Sequence, residues 1–311
     1  MKPTVLFMGT PEFALPSLER LAETGHPIVG VVTQPDRPRG RGQARVAPPV
    51  KAAALRLGFE VLQPEWVREP EFLRTCRDLA PEVIAVAAFG QILPRALLDI
   101  PPLGCVNVHP SLLPKYRGAA PMNWTLIRGE TVTGVTIIRM NEGMDAGDIL
   151  LQERTPIDAR DDFGALHDRL AAIGAKLLVK AIAGLADGGL AGTPQDPSEA
   201  TFAPKITRED GRIRWDAPPD TVVNLIRGLS PAPGAWTRLD GKVLKVFRAE
   251  ARPDPVAEAP GTIGEASPQG LSVAARNGWV RLLDVQMENR RRMPIGDFLR
   301  GLKLAPGTRL G

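Results

Sequence analysis

Five short apolar runs separated by helix-patterned segments constrain this chain more than any other feature. The runs "TVLFMGT", "IVGVVTQ", "EVIAVAAFG", "GCVNVHP" and "GVTIIRM" recur through residue 140. Several are apolar throughout, as strands are when both faces of a sheet are covered. Between them, "PEFALPSLERLAETG", "PPVKAAALRLG" and "EPEFLRTCRDLA" carry helical periodicity, with Pro near the start and Gly at two of the ends. This alternation predicts an α/β fold, a doubly wound and mostly parallel sheet. The amphipathic "DFGALHDRLAAIGAKLLVKAIAGLADG" closes that region, so the first domain is expected over residues 1–189.

Residues 190–204, "LAGTPQDPSEATFAP", are rich in Gly, Pro and small polar residues and are expected to act as a linker. From residue 205 the pattern changes to short strands joined by Gly-centred turns such as "LDGK" and "RNGW". Residues 205–311 are therefore expected to form a small antiparallel, OB-like β-barrel, with one helix from "TVVNLIRGL".

A chain of 311 residues with 43% hydrophobic and 24% charged residues can bury two cores and is not disordered. No apolar run is long enough for a spanning helix, and the N-terminal run is too short for a signal peptide. The two cysteines, Cys76 and Cys105, have neither metal-type spacing nor a disulfide framework. A cytoplasmic monomer without a metal site is expected. Charge is uneven: residues 1–204 carry 21 Lys+Arg against 23 Asp+Glu, a net −2, and residues 205–311 carry 18 against 12, a net +6. A basic second region suits a polyanionic partner, and its bland reading is an Arg-rich surface.

The richest stretch is "GCVNVHPSLLPKYRGAAP", residues 104–121, which contains no acid, three prolines and the only Tyr. Asn107 and His109 stand one residue apart at the end of a strand, so both face one crevice, and α/β sheets bind ligands outside the carboxyl ends of their strands. Asn donates to a developing oxyanion, and His moves protons near neutral pH. The following "PSLLP" is a stiff turn whose backbone groups are expected to stay partly unpaired, free for a flat heteroaromatic ligand. Asp145, in the Gly-rich "MNEGMDAGDILLQ", supplies a carboxylate if the end of "GVTIIRM" lies beside the end of "GCVNV", and Asp148 competes for that role. Asn, His and Asp without a framed nucleophile argue acid–base and oxyanion chemistry. The loop "TQPDRPRGRGQARVAPP", residues 33–49, sets four arginines around Gly40 and Gly42, a composition suited to phosphate contact.

"NVHPSLLPKYRGAAP" followed by "GVTI…MDAGDIL" resembles the folate-dependent formyltransferase family, and the likeness extends over essentially the whole chain. "TQPDRPRGRG" and "KITREDGRIRWD" narrow it to the branch whose acceptor is methionine carried on initiator tRNA. The resemblance implies formyl transfer from 10-formyltetrahydrofolate to that amino group. It implies a catalytic trio of Asn107, His109 and Asp145, and folate contacts at Ser111, Leu112, Leu113, Pro114, Phe89 and Gly90. It further implies tRNA contacts at Arg37, Arg39, Arg41 and Lys205. Pro110 occupies a slot that is Gly in some relatives. A sugar-nucleotide formyltransferase or a formyltetrahydrofolate hydrolase domain would share the site, and a non-catalytic RNA-binding protein would leave the trio idle.

Overall fold

A computed structural model describes residues 2–39, 44–302, 304–305 and 307–311. Nine strands precede residue 157: β1 (Val5–Gly9), β2 (Ile28–Val32), β3 (Arg37–Arg39), β4 (Ala44–Val46), β5 (Val61–Leu62), β6 (Val83–Ala87), β7 (Cys105–His109), β8 (Val132–Arg139) and β9 (Ile149–Pro156). Seven form one sheet in the order β5-β2-β1-β6-β7-β8-β9. The five from β5 to β7 are parallel, and β8 and β9 close the edge antiparallel. The mostly parallel doubly wound sheet is thus present. Every residue of β1 and β6 is buried, as their unbroken apolar sequences require.

Six helices accompany this region: α1 (Leu15–Glu23), α2 (Pro49–Arg56), α3 (Pro70–Leu79), α4 (Arg95–Leu98), α5 (Pro121–Ile127) and α6 (Phe163–Ala186). Four of them, α1, α2, α3 and α5, carry Pro in the first turn, where its fixed φ suits the helix and its missing N–H costs nothing. α3 buries Phe72 and Cys76, one turn apart, into a core built on Leu6, Met8, Ile84 and Val86. Truncating such a large buried side chain to Ala costs roughly 3–5 kcal/mol.

Past residue 204 come α7 (Pro219–Gly228), β10 (Ala235–Leu239), β11 (Lys242–Arg252), β12 (Ile263–Ser267), β13 (Gly270–Ala275), β14 (Gly278–Met287), β15 (Met293–Pro294) and α8 (Ile295–Arg300). They make the expected antiparallel β domain, in the order β10-β11-β14-β13-β12 with β15 paired to β14. Its core gathers Trp215, Val222, Ile226, Val246, Val273 and Leu282. The helix expected from "TVVNLIRGL" is α7.

Two compact units result, and they are not consecutive segments. One contains Met1–Gly118, Val132–Pro156 and His167–Ala203, and the other contains Ala119–Thr131, Ile157–Leu166 and Pro204–Gly311. Within the second, the Asn123 side chain of α5 donates to the carbonyl of Gly228 at 2.8 Å, and Ile127 packs against the β-domain core.

Candidate active site

β7 delivers Asn107 and His109 to the same face because strand side chains alternate. Asn107 is half-buried, and its side chain makes no hydrogen bond to a described residue. His109 is 3% exposed, with Nε2 at 3.0 Å from the carbonyl of Tyr116. A carbonyl only accepts, so Nε2 carries the hydrogen, and the other ring nitrogen faces the carboxylate. Nδ1 stands 3.5 Å from Asp145 Oδ1. The second carboxylate oxygen accepts from the Gly118 N–H at 2.8 Å.

His109 and Asp145 are thus brought together, by a different route from the one expected. Because β8 is antiparallel to β7, its last residue, Arg139, lies opposite Val106, while His109 lies opposite Thr136. The two strand ends are therefore not neighbours. The turn between β8 and β9 carries the carboxylate back to the imidazole, and it bends sharply enough to hold Asp145 at φ 49°. Gly147 is indispensable to that bend, since a Cβ there would collide with the carbonyl of Arg139. Asp148, the competing carboxylate, packs instead against Gly192.

The turn after His109 differs from the expectation of unpaired backbone. Thr136, fully buried in β8, donates from its hydroxyl to the Ser111 carbonyl at 2.7 Å and accepts from the Leu113 N–H at 3.1 Å. The Gln152 amide donates to the Leu113 carbonyl at 3.0 Å and to the Thr136 hydroxyl at 2.9 Å. The Ser111 hydroxyl donates to the Lys115 carbonyl at 2.7 Å, and the Thr201 N–H reaches the Pro114 carbonyl at 3.4 Å. Ser111 and Leu113 are buried, whereas Leu112 and Pro114 remain partly open. The turn is a braced wall whose free surface is Leu112 and Pro114, because β8 and β9 satisfy most of its polar groups.

The neighbouring strand β6 exits through Ala88, Phe89 and Gly90. Phe89 is buried, Gly90 is exposed at φ 92°, and Ile92 beyond it is 85% exposed. Thr10 Oγ1 donates to the Phe89 carbonyl at 3.0 Å, and Gln34 Nε2 donates to the same oxygen at 3.4 Å. Gln34 begins the Arg-rich segment, whose described part is a β3–β4 hairpin pairing Arg37 with Val46 and Arg39 with Ala44. Its base is tied by Asp36, which accepts from Gln63 at 2.8 Å and from Lys51 at 2.9 Å. Those bonds, Gln63 first and then Lys51, hold the Asp36 carboxyl below the usual carboxylate range. Arg37 is exposed and faces Glu65 at 3.6 Å, and Arg41 lies outside the described residues. Lys205 is exposed and belongs to the second unit.

Cys105 shares β7 with Asn107 and His109, but burial pushes its thiol up to about 12, so it is no thiolate nucleophile at working pH. The chemistry open to the trio is hydrogen-bond donation from Asn107 and proton handling by the His109–Asp145 pair. Sequence reasoning missed the residues that brace this site: Thr136, Gln152, Arg117, Gln195 and Thr201. Arg117, Thr136 and Gln152 lie inside stretches quoted for other residues, whereas Gln195 and Thr201 stand in a loop with no local motif to mark them.

Residues 1–182 match the family described as formyl transferase, and residues 205–303 match the formyl transferase C-terminal domain. The chain is 58% identical over 310 residues to the methionyl-tRNA formyltransferase of Syntrophus aciditrophicus, covering 100% of this chain and 99% of that one. It is 50% identical to that of Geotalea daltonii, over 99% of this chain and 98% of the relative. Among solved structures, WlaRD, a sugar 3N-formyl transferase studied with dTDP and 5-N-formyl-THF, superposes with a TM-score of 0.68 at 16% identity, covering 94% of this chain and 100% of WlaRD. HypX from Aquifex aeolicus, in complex with tetrahydrofolic acid, gives 0.65 at 19% identity over 98% of this chain, which spans about half of HypX (49%). Those two likenesses show a shared fold. Identities of 50–58% over nearly the whole length of these relatives, with the paired domain matches, make this chain a member of the formyl transferase family, within its methionyl-tRNA formyltransferase branch.

Proposed function

We propose that this protein transfers a formyl group from 10-formyltetrahydrofolate to the α-amino group of methionine on initiator tRNA, yielding the formylated initiator for translation. The observation that carries this reading is 58% identity over 310 residues to an enzyme of that name, spanning both domain matches. The sugar formyltransferases share the fold at 16% identity, and nothing in this chain favours a sugar acceptor over tRNA.

The folate supplies a formyl group already activated for transfer. Its proposed seat lies between the braced turn Ser111–Pro114, met through Leu112 and Pro114, and the open exit of β6 at Phe89 and Gly90. The Asn107 amide, without a hydrogen bond to a described residue, fits a carbonyl ligand there, and the space beside Gly90 is open among the described residues. Asn107 donates a hydrogen bond to the formyl oxygen, which strengthens as negative charge builds there under attack by the neutral amine. His109, held at Nε2 by Tyr116, presents Nδ1 to Asp145, and this pair accepts, through water, the proton released by the amine. That proton then links Nδ1 to the Asp145 carboxylate, which the Gly118 N–H holds in place, and collapse of the adduct breaks the bond between the formyl carbon and N10, the nitrogen taking up a proton as tetrahydrofolate leaves.

The acceptor arm of the tRNA is proposed to be guided by Arg37, Arg39 and Arg41, and the body of the tRNA to be held by residues 205–311, beginning at Lys205. Supporting that region's role, Arg208, Arg212 and Arg238 surround the Trp236 ring at 5.6, 5.9 and 6.0 Å, a fan of guanidinium groups suited to phosphates. Residues 1–189 would be the catalytic domain, with 190–204 joining it to the tRNA-binding domain. The protein is proposed to work as a cytoplasmic monomer without a metal. No helix among the described residues is long and apolar enough to cross a membrane. Transfer of radiolabelled formyl from 10-formyltetrahydrofolate to charged initiator tRNA tests the reading. Labelled methionyl-tRNA is expected, and label in an amino sugar nucleotide or in free formate instead would refute it.

A further inference from the structure

We infer that Gln195 is a positioning residue for the proposed transfer, acting through the main chain of Asp145; this inference rests on the catalytic reading of His109 and Asp145. Gln195 lies between the two family matches, which end at residue 182 and resume at 205. Its segment reads as a polar connection, "GTPQDPSEA". In the structure that segment is bound to the active-site loops.

All four hydrogen-bonding positions of the Gln195 amide are used. Nε2 donates to the carbonyl of Asp145 at 2.8 Å and to that of Gly147 at 2.7 Å. Oε1 accepts from Arg117 Nε at 3.1 Å and Nη2 at 2.7 Å. Arg can only donate and a carbonyl can only accept, so the amide has one possible orientation. Arg117 is itself 9% exposed, and its backbone is paired on both sides, its N–H to Thr201 O and its carbonyl to the Ala203 N–H, each at 2.8 Å.

These contacts meet the catalytic pair from two directions. On one side the Thr201 hydroxyl accepts from the Tyr116 N–H at 2.9 Å, and Tyr116 holds His109 Nε2 on its carbonyl. On the other, Gln195 grips the carbonyls that flank the strained turn. Asp145 sits at φ 49° and Tyr116 at φ 64°, left-handed conformations that cost a non-glycine residue on the order of 1 kcal/mol or more. Such conformations persist where surrounding bonds over-determine them. Gln195 supplies two of those bonds at Asp145 and Gly147, which fixes where the carboxylate meets Nδ1.

The test compares Gln195→Glu and Gln195→Ala with wild type and with Asp145→Asn. Glu keeps an acceptor for Arg117 but replaces both donors with an oxygen facing two carbonyls. We expect kcat to fall roughly 10–100-fold in both Gln195 variants, the size of effect seen when groups that orient reactive ligands are removed. The KM for folate and for tRNA should stay within about twofold, since the Gln195 amide is fully engaged by Arg117, Asp145 and Gly147. An independent readout is the His109 ring in NMR, tractable because the chain has three histidines. Its signals should move in Gln195→Glu in the direction they move in Asp145→Asn, while those of His26 stay in place. If Gln195→Glu turns over normally, or its His109 signals are unmoved, Gln195 only satisfies Arg117 and the inference fails. Failure of the Glu variant to fold would overturn it equally, by making the residue structural. Absence of transfer in the wild type would instead refute the proposed function, and the NMR comparison would still decide the role of Gln195.

Discussion

Thr136→Val tests whether the wall beside the catalytic pair is held by one hydroxyl. Val matches Thr in volume, so no cavity opens and the change isolates the hydrogen bonds. Thr136 is fully buried, and its hydroxyl serves the Ser111 carbonyl, the Leu113 N–H and the Gln152 amide. Gln152 keeps its bond to the Leu113 carbonyl, so two buried backbone groups lose their partner. Each such orphan costs about 1–3 kcal/mol, giving a loss of roughly 2–6 kcal/mol. In a unit of this size that lowers Tm by about 4–24 °C. Thr136→Ser is the paired control: it keeps the hydroxyl, loses one methyl and costs about 1 kcal/mol. Denaturant unfolding of both variants measures the difference, and formyl-transfer kinetics on the same samples report whether the turn still seats its ligand. If Val proves no more destabilising than Ser, the hydroxyl does not hold the turn, and the braced wall described here is wrong.

Two further outcomes follow from the site. Asn107→Ala should lower kcat by roughly 10²–10³-fold with little change in KM, because the amide is proposed to act as charge builds on the formyl oxygen; Asp145→Asn should be comparably damaging, and Asp148→Asn mild, all checked by steady-state kinetics. The thiols of Cys76 and Cys105, both pushed up to about 12 by burial, stay protonated across the working pH range. A thiol reagent at pH 8 should therefore label neither in the native protein and both in denaturant; rapid native labelling would contradict their burial.

Much of this architecture was legible from apolar periodicity. The unbroken runs of β1 and β6 announced strands covered on both faces, and the spacing of Asn107 and His109 at a strand end announced a shared strand face. The direction of β8 was not legible, because an apolar run carries no sign of which way it pairs. Its antiparallel entry changed how Asp145 reaches His109 and put Thr136 beside the turn. The pairing of Arg37–Arg39 with Ala44–Val46 was hidden by Pro38, a poor strand former. Gln195 was hidden for another reason: its partners stand 78 and 50 residues away, and a Gln between Pro194 and Asp196 has every local mark of a loop.

The discontinuous make-up of the second unit bears on how such a protein can be recombined. Helix α5, with Asn123 bonded to Gly228 and Ile127 packed on the β-domain core, belongs with a region that begins some eighty residues later in the chain. The packing surface of α5 and the core that receives it must therefore vary together. A graft that replaces everything after residue 204 inherits the host's α5, and with it a foreign side of its own hydrophobic core. The region after residue 204 is consequently not a cassette to be exchanged at one junction. A chimera that respects the packing carries residues 119–131 and 157–166 along with its new C-terminal region.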